Sequence, residues 1–319
     1  MASYITAVNQ LIAERVAAIP TLVLYGENIN NGSHISGLTK NLEVQESGRI
    51  LNVGNCEATH CGFGFGLMMS GVSSVLFAKQ LDFMLLGIEH FVNTYNFIRS
   101  HFPPNSLGSF TIVTLICDQG FQGPQSSTNA LGDICSLARV PGYSVTNRQD
   151  VRYVLATQLG KPGFRFIGLS QRLFPTEFMN LETVYVADDS SVFQYTQGSD
   201  VTIVCFNFSL PEGYALHEQL SRRGISSSLF SVNQVPKQNW DAIKKSVGQT
   251  RKLIVMDDSK SVNLSCYALL HEIEDEFPST QKIVVTRETN IDFGVCPDNF
   301  QIDHDAIIAR LGTRMAARR

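Results

Sequence analysis

The chain has 319 residues, with 25 Lys and Arg against 29 Asp and Glu and a formal net charge of −4. That balance excludes attachment to nucleic acid or anionic lipid by bulk charge. Hydrophobic residues at 44% against charged residues at 17% exclude disorder as the main state, and at roughly 100–200 residues per domain the length predicts two domains.

The first segment, MASYITAVNQLIAERVAAIP, alternates polar and apolar residues at helical spacing and has no basic head before an unbroken apolar run. It reads as a folded helix, not a signal peptide. Beyond it, TLVLYGE, SSVLFAKQL, FTIVTLICD, GYSVTN and FRFIGLS read as strands. The helices are ATHCGFGFGLMM, FMLLGIEHFVNTYNFIRSHF, STNALGDICSLARV and DVRYVLATQLG, several of them apolar on more than one face, as at an interior or a subunit interface. This alternation predicts an α/β fold with a mainly parallel sheet. Weak periodicity from about 175 to 199 places a domain boundary near residue 190, dividing the chain into 1–190 and 191–319. The second part repeats the pattern: strands at DVTIVCFNF, ISSSLFSV, KLIVMDD and KIVVTRE, helices at EGYALHEQLSRRG, NWDAIKKSVG and SCYALLHEIEDEF. It predicts a second, smaller α/β domain.

No apolar run approaches the roughly 18–20 residues that span a bilayer, so no membrane segment is expected. Cys56, Cys61, Cys117, Cys135, Cys205, Cys266 and Cys296 are an odd set in apolar surroundings. They read as reduced thiols of a cytoplasmic protein. Cys56 and His60 have a helical spacing that could offer two metal ligands, but no second pair lies nearby in sequence and no metal site is expected. The terminal RMAARR reads as a solvated helix end, and no GxSxG elbow supports a serine hydrolase.

The best-defined chemical candidate is Glu57 in RILNVGNCEATHCGFGFGLMMSG, one carboxylate among small and apolar residues where a strand leads into a helix. Its surroundings admit two readings: a carboxyl group that exchanges a proton with a bound heterocycle, or a first-turn residue whose charge complements the helix dipole. Phe83 in LDFMLL is likewise a core ring or a stacking surface. Gly62, Gly64 and Gly66 lack the context of a dinucleotide fingerprint and predict close helix packing, at the interior or a subunit interface.

In order along the chain, YGENI (Tyr25 to Ile29), Gly37–Leu38, RILNVGNCEA, Gly62, Gly66, Gly71 and LDFMLLGIEHFVN resemble the beta subunit of the decarboxylase component of 2-oxoacid dehydrogenases. They are also similar to the pyrimidine-binding domain of transketolases, as are QGPQSS, GDICSLARVPGYSV and FIGLSQRLFP. GSDVTIVCFNF, GISSSLFSV and TRKLIVMDDS resemble the transketolase C-terminal domain. The resemblance implies a thiamine-diphosphate pyrimidine-binding domain with a mainly parallel sheet, followed by a transketolase C-terminal-like domain. It also implies roles for Glu57 and Phe83: Glu57 hydrogen-bonds N1′ of the cofactor's aminopyrimidine, favouring the tautomer that deprotonates the thiazolium, and Phe83 stacks on the ring.

The chain departs from that pattern in several places. Where the relatives carry an active-site histidine, it reads Gly123-Pro124-Gln125-Ser126-Ser127, with Ser126 at the histidine's place. The transketolase phosphate arginine matches Gln171, with Arg172 one position late, and a phosphate-site histidine matches Thr114. The Gly-Asp-Gly motif and asparagine that hold Mg2+ are absent from the sequence. The resemblance therefore implies half a site, completed by an alpha-like partner chain in an α2β2 heterotetramer that holds the diphosphate and magnesium. The reaction expected is cleavage next to a ketone or 2-oxo-acid carbonyl and transfer of the activated aldehyde or ketol unit. His90, Gln125 and Ser126 are the substrate-side candidates. The alternative from another class is a non-catalytic scaffold or regulatory subunit that retains the fold and the partner interface.

Overall fold

The computed structural model describes residues 2–119, 128–237, 239–287, 300 and 302–312. Six strands, β1 (Leu22–Gly26), β2 (Arg49–Asn52), β3 (Ser73–Ala78), β4 (Ser109–Ile116), β5 (Gly142–Val145) and β6 (Gly163–Ser170), pair in parallel in the order β5-β6-β4-β3-β1-β2. β4 (SFTIVTLI) is buried along its whole length, as a central parallel strand covered on both faces must be. One face packs on α1 (Tyr4–Ala17) through Val8, Leu11 and Ile12. The other packs on α2 (Glu57–Met69), α3 (Tyr95–His101) and α4 (Leu131–Ala138) through Phe65, Met68, Ile98 and Ile134. α5 (Arg148–Gln158) joins the first face and starts at a reciprocal capping box, Asn147 with Asp150.

A second sheet is built from β7 (Tyr185–Val186), β8 (Val192–Thr196), β9 (Val201–Phe206), β10 (Ser227–Val232), β12 (Lys252–Asp257) and β13 (Gln281–Thr286). Its order is β13-β12-β9-β10-β8-β7, parallel except for β7 and β8 at one edge. The intervening β11 (Gln234–Val235) leaves this sheet and pairs antiparallel with β5, stitching the two sheets together. The helices α6 (Leu210–Arg222), α7 (Asp241–Thr250), α8 (Tyr267–Glu276) and α9 (His304–Gly312) line its faces.

Two elements differ from their sequence pattern. The stretch around 175–199 holds β7 and β8, short edge strands joined by the polar turn Asp188–Asp189–Ser190, and too brief to show a period. The segment from Phe83 to Phe102 is not one helix: a 3-10 segment, Leu81–Gly87, is followed by a π turn, His90–Thr94, before α3 begins. The three-residue period puts Leu81, Met84 and Gly87 on one buried face. Gly87 lies so close to Cys61 that a Cβ there would sit 2.4 Å from its sulfur. Cys61, Cys117, Cys135, Cys205 and Cys266 are buried free thiols, while Cys56 is exposed. Among the described residues no helix is long and apolar enough to cross a membrane.

A buried ion cluster closes the seam between the sheets. Arg172, just after β6, donates to Asp258 Oδ2 at 3.1 Å and to the Phe208 carbonyl at 3.0 Å, and pairs closely with Glu212. Its backbone N–H donates to Asp118 Oδ1 at 3.0 Å. Arg287 donates to the carbonyls of Asp258 and Asp118 at 2.8 and 2.9 Å. Burial pushes the Asp258 carboxyl up to about 7, with Arg172 and then Arg287 pulling the other way. Replacing Arg172 by Met removes the cation shared by Asp118, Glu212 and Asp258, and should cost about 3–5 kcal/mol in urea unfolding; a loss under about 1 kcal/mol would show that the cluster does not hold the seam. Because Asp258 binds its proton more tightly folded than unfolded, its stabilising contribution falls as pH rises from about 4 to 7. Stability measured across that window should have a flatter slope in Asp258→Asn.

Candidate functional site

In a parallel sheet, ligands gather beyond the carboxyl ends of the strands where the strand order reverses. Here β1 leads outward to β2, and the chain then returns through α2 to β3 and continues the opposite way, so the reversal falls between β1 and β3. A cavity of about 120 Å³ lies at these strand ends, lined by Glu27, Asn55, Glu57, His60, Leu76, Phe77, Ala78, Lys79, Phe83 and Met84. The fold thus brings together two residues, Glu57 and Phe83, that are 26 positions apart in sequence.

Each wall is set by local structure. β1 ends at Gly26, where a Cβ would lie 2.4 Å from the Phe77 carbonyl oxygen, so only glycine lets β1 finish this close to β3. Glu27 follows directly. The loops after β1 and β2 are joined by Val53 N–H donating to the Gly26 carbonyl at 3.1 Å and Ile29 N–H donating to Asn52 Oδ1 at 3.0 Å. Asn55 is carried on the second loop. An amide's oxygen and nitrogen are assigned from their neighbours, and with its nitrogen facing the carboxylates Asn55 donates to Glu27 Oε1 at 2.8 Å and to Glu57 Oε1 at 3.1 Å. Glu57 is the first residue of α2, half-buried, where the free N–H groups of the first turn favour a negative charge. The first-turn reading of this residue is thus met, and its side chain also lines the cavity. Phe83 lies half-buried in the 3-10 segment with its ring packed on the core behind it.

α2 is seated by Gly64. A Cβ there would lie 2.4 Å from the Phe110 ring and 2.5 Å from the Tyr25 hydroxyl, and that hydroxyl donates to the His60 carbonyl at 2.9 Å. A Cβ at Gly62 would meet the His90 ring at 3.5 Å, an ordinary contact distance, whereas one at Gly66 would face open space. Close packing in the glycine run is thus an internal matter at Gly64, with a surface on the Gly66 side. Burial, then the charge of Glu57, pushes the Cys61 thiol up to about 12. The exposed Cys56 thiol is lowered by its hydrogen bonds to Thr59, the side-chain contact being 2.9 Å. Among the described residues no group of three or more His, Cys, Asp or Glu side chains is placed to hold a metal ion.

The other sequence candidates fall elsewhere. His90 bonds Thr94 Oγ1 at 3.1 Å, with Glu89 at 3.5 Å, and is not among the residues lining the cavity. Gln125 and Ser126 lie outside the described residues. Arg172 is committed to the seam cluster and Thr114 is buried inside β4, so neither forms a phosphate clamp. Glu27, Asn55, His60 and Lys79 also line the cavity: in the sequence Glu27 and Asn55 stand only as parts of the matching segments YGENI and RILNVGNCEA, and His60 only as a possible metal ligand.

The seating of α2 gives a paired test. Gly64→Ala should lower stability by about 1–3 kcal/mol through overpacking. Gly66→Ala in the isolated chain should be neutral or stabilising by up to about 1 kcal/mol through helix propensity. Thermal melting of both variants checks this, and equal effects would mean that Gly64 does not set the height of the helix.

No family model matches the chain. It is 20% identical over 266 residues to the beta subunit of acetoin:2,6-dichlorophenolindophenol oxidoreductase from Cupriavidus necator, covering 79% of this chain and 78% of that one. The mitochondrial pyruvate dehydrogenase E1 component subunit beta of Chaetomium thermophilum is 20% identical over 261 residues, covering 79% and 67%. Among solved structures, a split-gene transketolase in an inactive β4 tetramer superposes with a TM-score of 0.69 at 15% identity, covering 98% of both chains. In sequence the chain is thus a relative of 2-oxoacid dehydrogenase E1 beta subunits, and its fold is transketolase-like, with a pyrimidine-domain sheet followed by a C-terminal α/β sheet.

Proposed function

We propose that the chain is the pyrimidine-binding, beta-like subunit of a two-chain thiamine-diphosphate enzyme. The observation that carries this reading is the convergence of Glu57 and Phe83 on one cavity at the switch point of the first sheet. The donor set fits an aminopyrimidine: one wall is apolar (Leu76, Phe77, Ala78, Met84), one is a flat ring, and one edge carries a carboxylate. The diphosphate and Mg2+ we assign to the partner chain, because the sequence lacks the Gly-Asp-Gly motif and asparagine of the diphosphate-binding half.

Bound there, thiamine diphosphate supplies a nucleophilic carbon that adds to a ketone or 2-oxo-acid carbonyl and holds the electrons released when the adjacent bond breaks. The protein's share is positioning and proton handling. Glu57 holds a proton against N1′ of the pyrimidine, the role for which a carboxyl group in hydrogen-bond reach is suited. Phe83 offers an apolar face for stacking and keeps water from that side. Decarboxylation of a 2-oxo acid and ketol transfer share these steps.

Exposed apolar side chains support a partner over this end of the molecule. Phe63 on α2, and Leu85 and Leu86 two and three residues past Phe83, are 41%, 54% and 63% exposed. The β4 tetramer of the structural neighbour is described as inactive, which agrees with a beta chain that needs its alpha-like partner; we propose α2β2. Buried free thiols support the cytoplasm, where thiols stay reduced.

In the complex with its partner, Glu57→Gln should lower turnover of a 2-oxo acid or ketose at least about a hundredfold while leaving the melting temperature of the chain unchanged. Wild-type turnover in Glu57→Gln would instead support the scaffold reading. Native mass spectrometry of the gently purified protein should show a second chain and bound thiamine diphosphate.

A further inference from the structure

The cavity holds two carboxylates, Glu27 and Glu57, and one side-chain amide that reaches both. Like charges facing one pocket repel, and a carboxylate side chain with several rotatable bonds keeps a fixed direction only where a donor holds it. The two hydrogens of a primary amide diverge, so one –NH2 can serve two acceptors at once. Asn55 does this, at 2.8 Å to Glu27 and 3.1 Å to Glu57. Its own position is fixed independently by the backbone bond from Val53 to Gly26 and by the Asn52 bond to Ile29, which tie its loop to the one carrying Glu27. The remaining polar groups facing the cavity are His60 and Lys79, and Cys56 and Cys61 flank Glu57 along the chain and the helix.

We propose that Asn55 is a positioning residue: its amide ties the Glu57 carboxylate to Glu27 as an anchor and so fixes the direction in which Glu57 meets the pyrimidine N1′. The inference rests on the cofactor reading above and adds to it. Glu27 is then the support that keeps the amide nitrogen turned toward the pocket, and Asn55 acts on the cofactor only through Glu57. Leucine at position 55 has nearly the same shape and no donor. It leaves the backbone bonds between the two loops in place.

The bridge is measurable in the full chain alone. With asparagine labelled with 15N, the side-chain NH2 pair of Asn55, identified by its disappearance in Asn55→Leu, should shift in Glu27→Gln and again in Glu57→Gln. A pair that ignores both substitutions overturns the bridge. In the complex with its partner, binding of thiamine diphosphate with Mg2+ should weaken about tenfold in Asn55→Leu, as expected for loss of a hydrogen bond to a charged group, and recover in part in Asn55→Gln. An analogue carrying C–H in place of the pyrimidine N1′ should bind wild type and Asn55→Leu equally. Equal weakening of cofactor and analogue would mean that Asn55 merely shapes the loop, which overturns the proposal. Glu57→Gln separates the two levels. If it weakens thiamine diphosphate while Asn55→Leu does not, this inference fails alone. If neither variant alters binding, the cofactor reading fails with it.

Discussion

The contact on which the site depends is the seating of Gly64 against Tyr25 and Phe110. It sets the height of α2 above the first sheet, and α2 begins at Glu57. Because protein interiors are packed to crystal density, a helix lifted by even one methyl group would carry its first residue with it. Tyr25 has a second hold on the same helix through its hydroxyl on the His60 carbonyl, and Gly87 against Cys61 brings in the segment that carries Phe83. The carboxylate and the ring are therefore placed by one packed unit of small residues, not by two independent loops.

A second constraint acts on the molecule as a whole. The seam cluster opposes two guanidinium groups, Arg172 and Arg287, to the carboxylates of Asp118, Glu212 and Asp258, most of them buried. Burial raises the Asp258 carboxyl to about 7, while Arg172 and then Arg287 pull it down. Such a cluster is costly to desolvate and specific in geometry, so it orients the two sheets more than it stabilises them. β11 crossing to the edge of the first sheet adds a backbone tie along the same seam.

Most of the fold is legible in the sequence because parallel strands buried on both faces leave continuous apolar runs, as in SFTIVTLI and VTIVCF. β7 and β8 are not legible, since two-residue and five-residue edge strands carry too little pattern to stand out. The 3-10 segment reads as the end of a strand at Leu81 and as helix from Phe83, where Met84 and Gly87 satisfy a helical spacing as well as a three-residue one. At the site, Glu57 and Phe83 are found through resemblance, and the cavity brings them together. Glu27 and Asn55 lie within the matching segments YGENI and RILNVGNCEA, but nothing in the sequence gives either a role, and only the pairing of the two loops across β1 and β2 sets them face to face. His90 stands seven positions from Phe83 in a segment that turns away, so nearness in sequence did not become nearness to the cavity.

A scaffold and a catalytic subunit would share the sheets, the seam and the exposed apolar residues, since all of these serve folding and assembly. They would differ in what a pocket costs. A half-buried carboxylate beside a second one, with a shared amide between them, loses hydration and faces a like charge. Neither α2 nor the sheet needs that arrangement, because Tyr25, Gly64 and Phe110 already seat the helix. An uncharged residue at position 27 would relieve the repulsion. The two acids and the amide around a ring-lined cavity are therefore an arrangement that the proposed proton handling calls for and assembly does not.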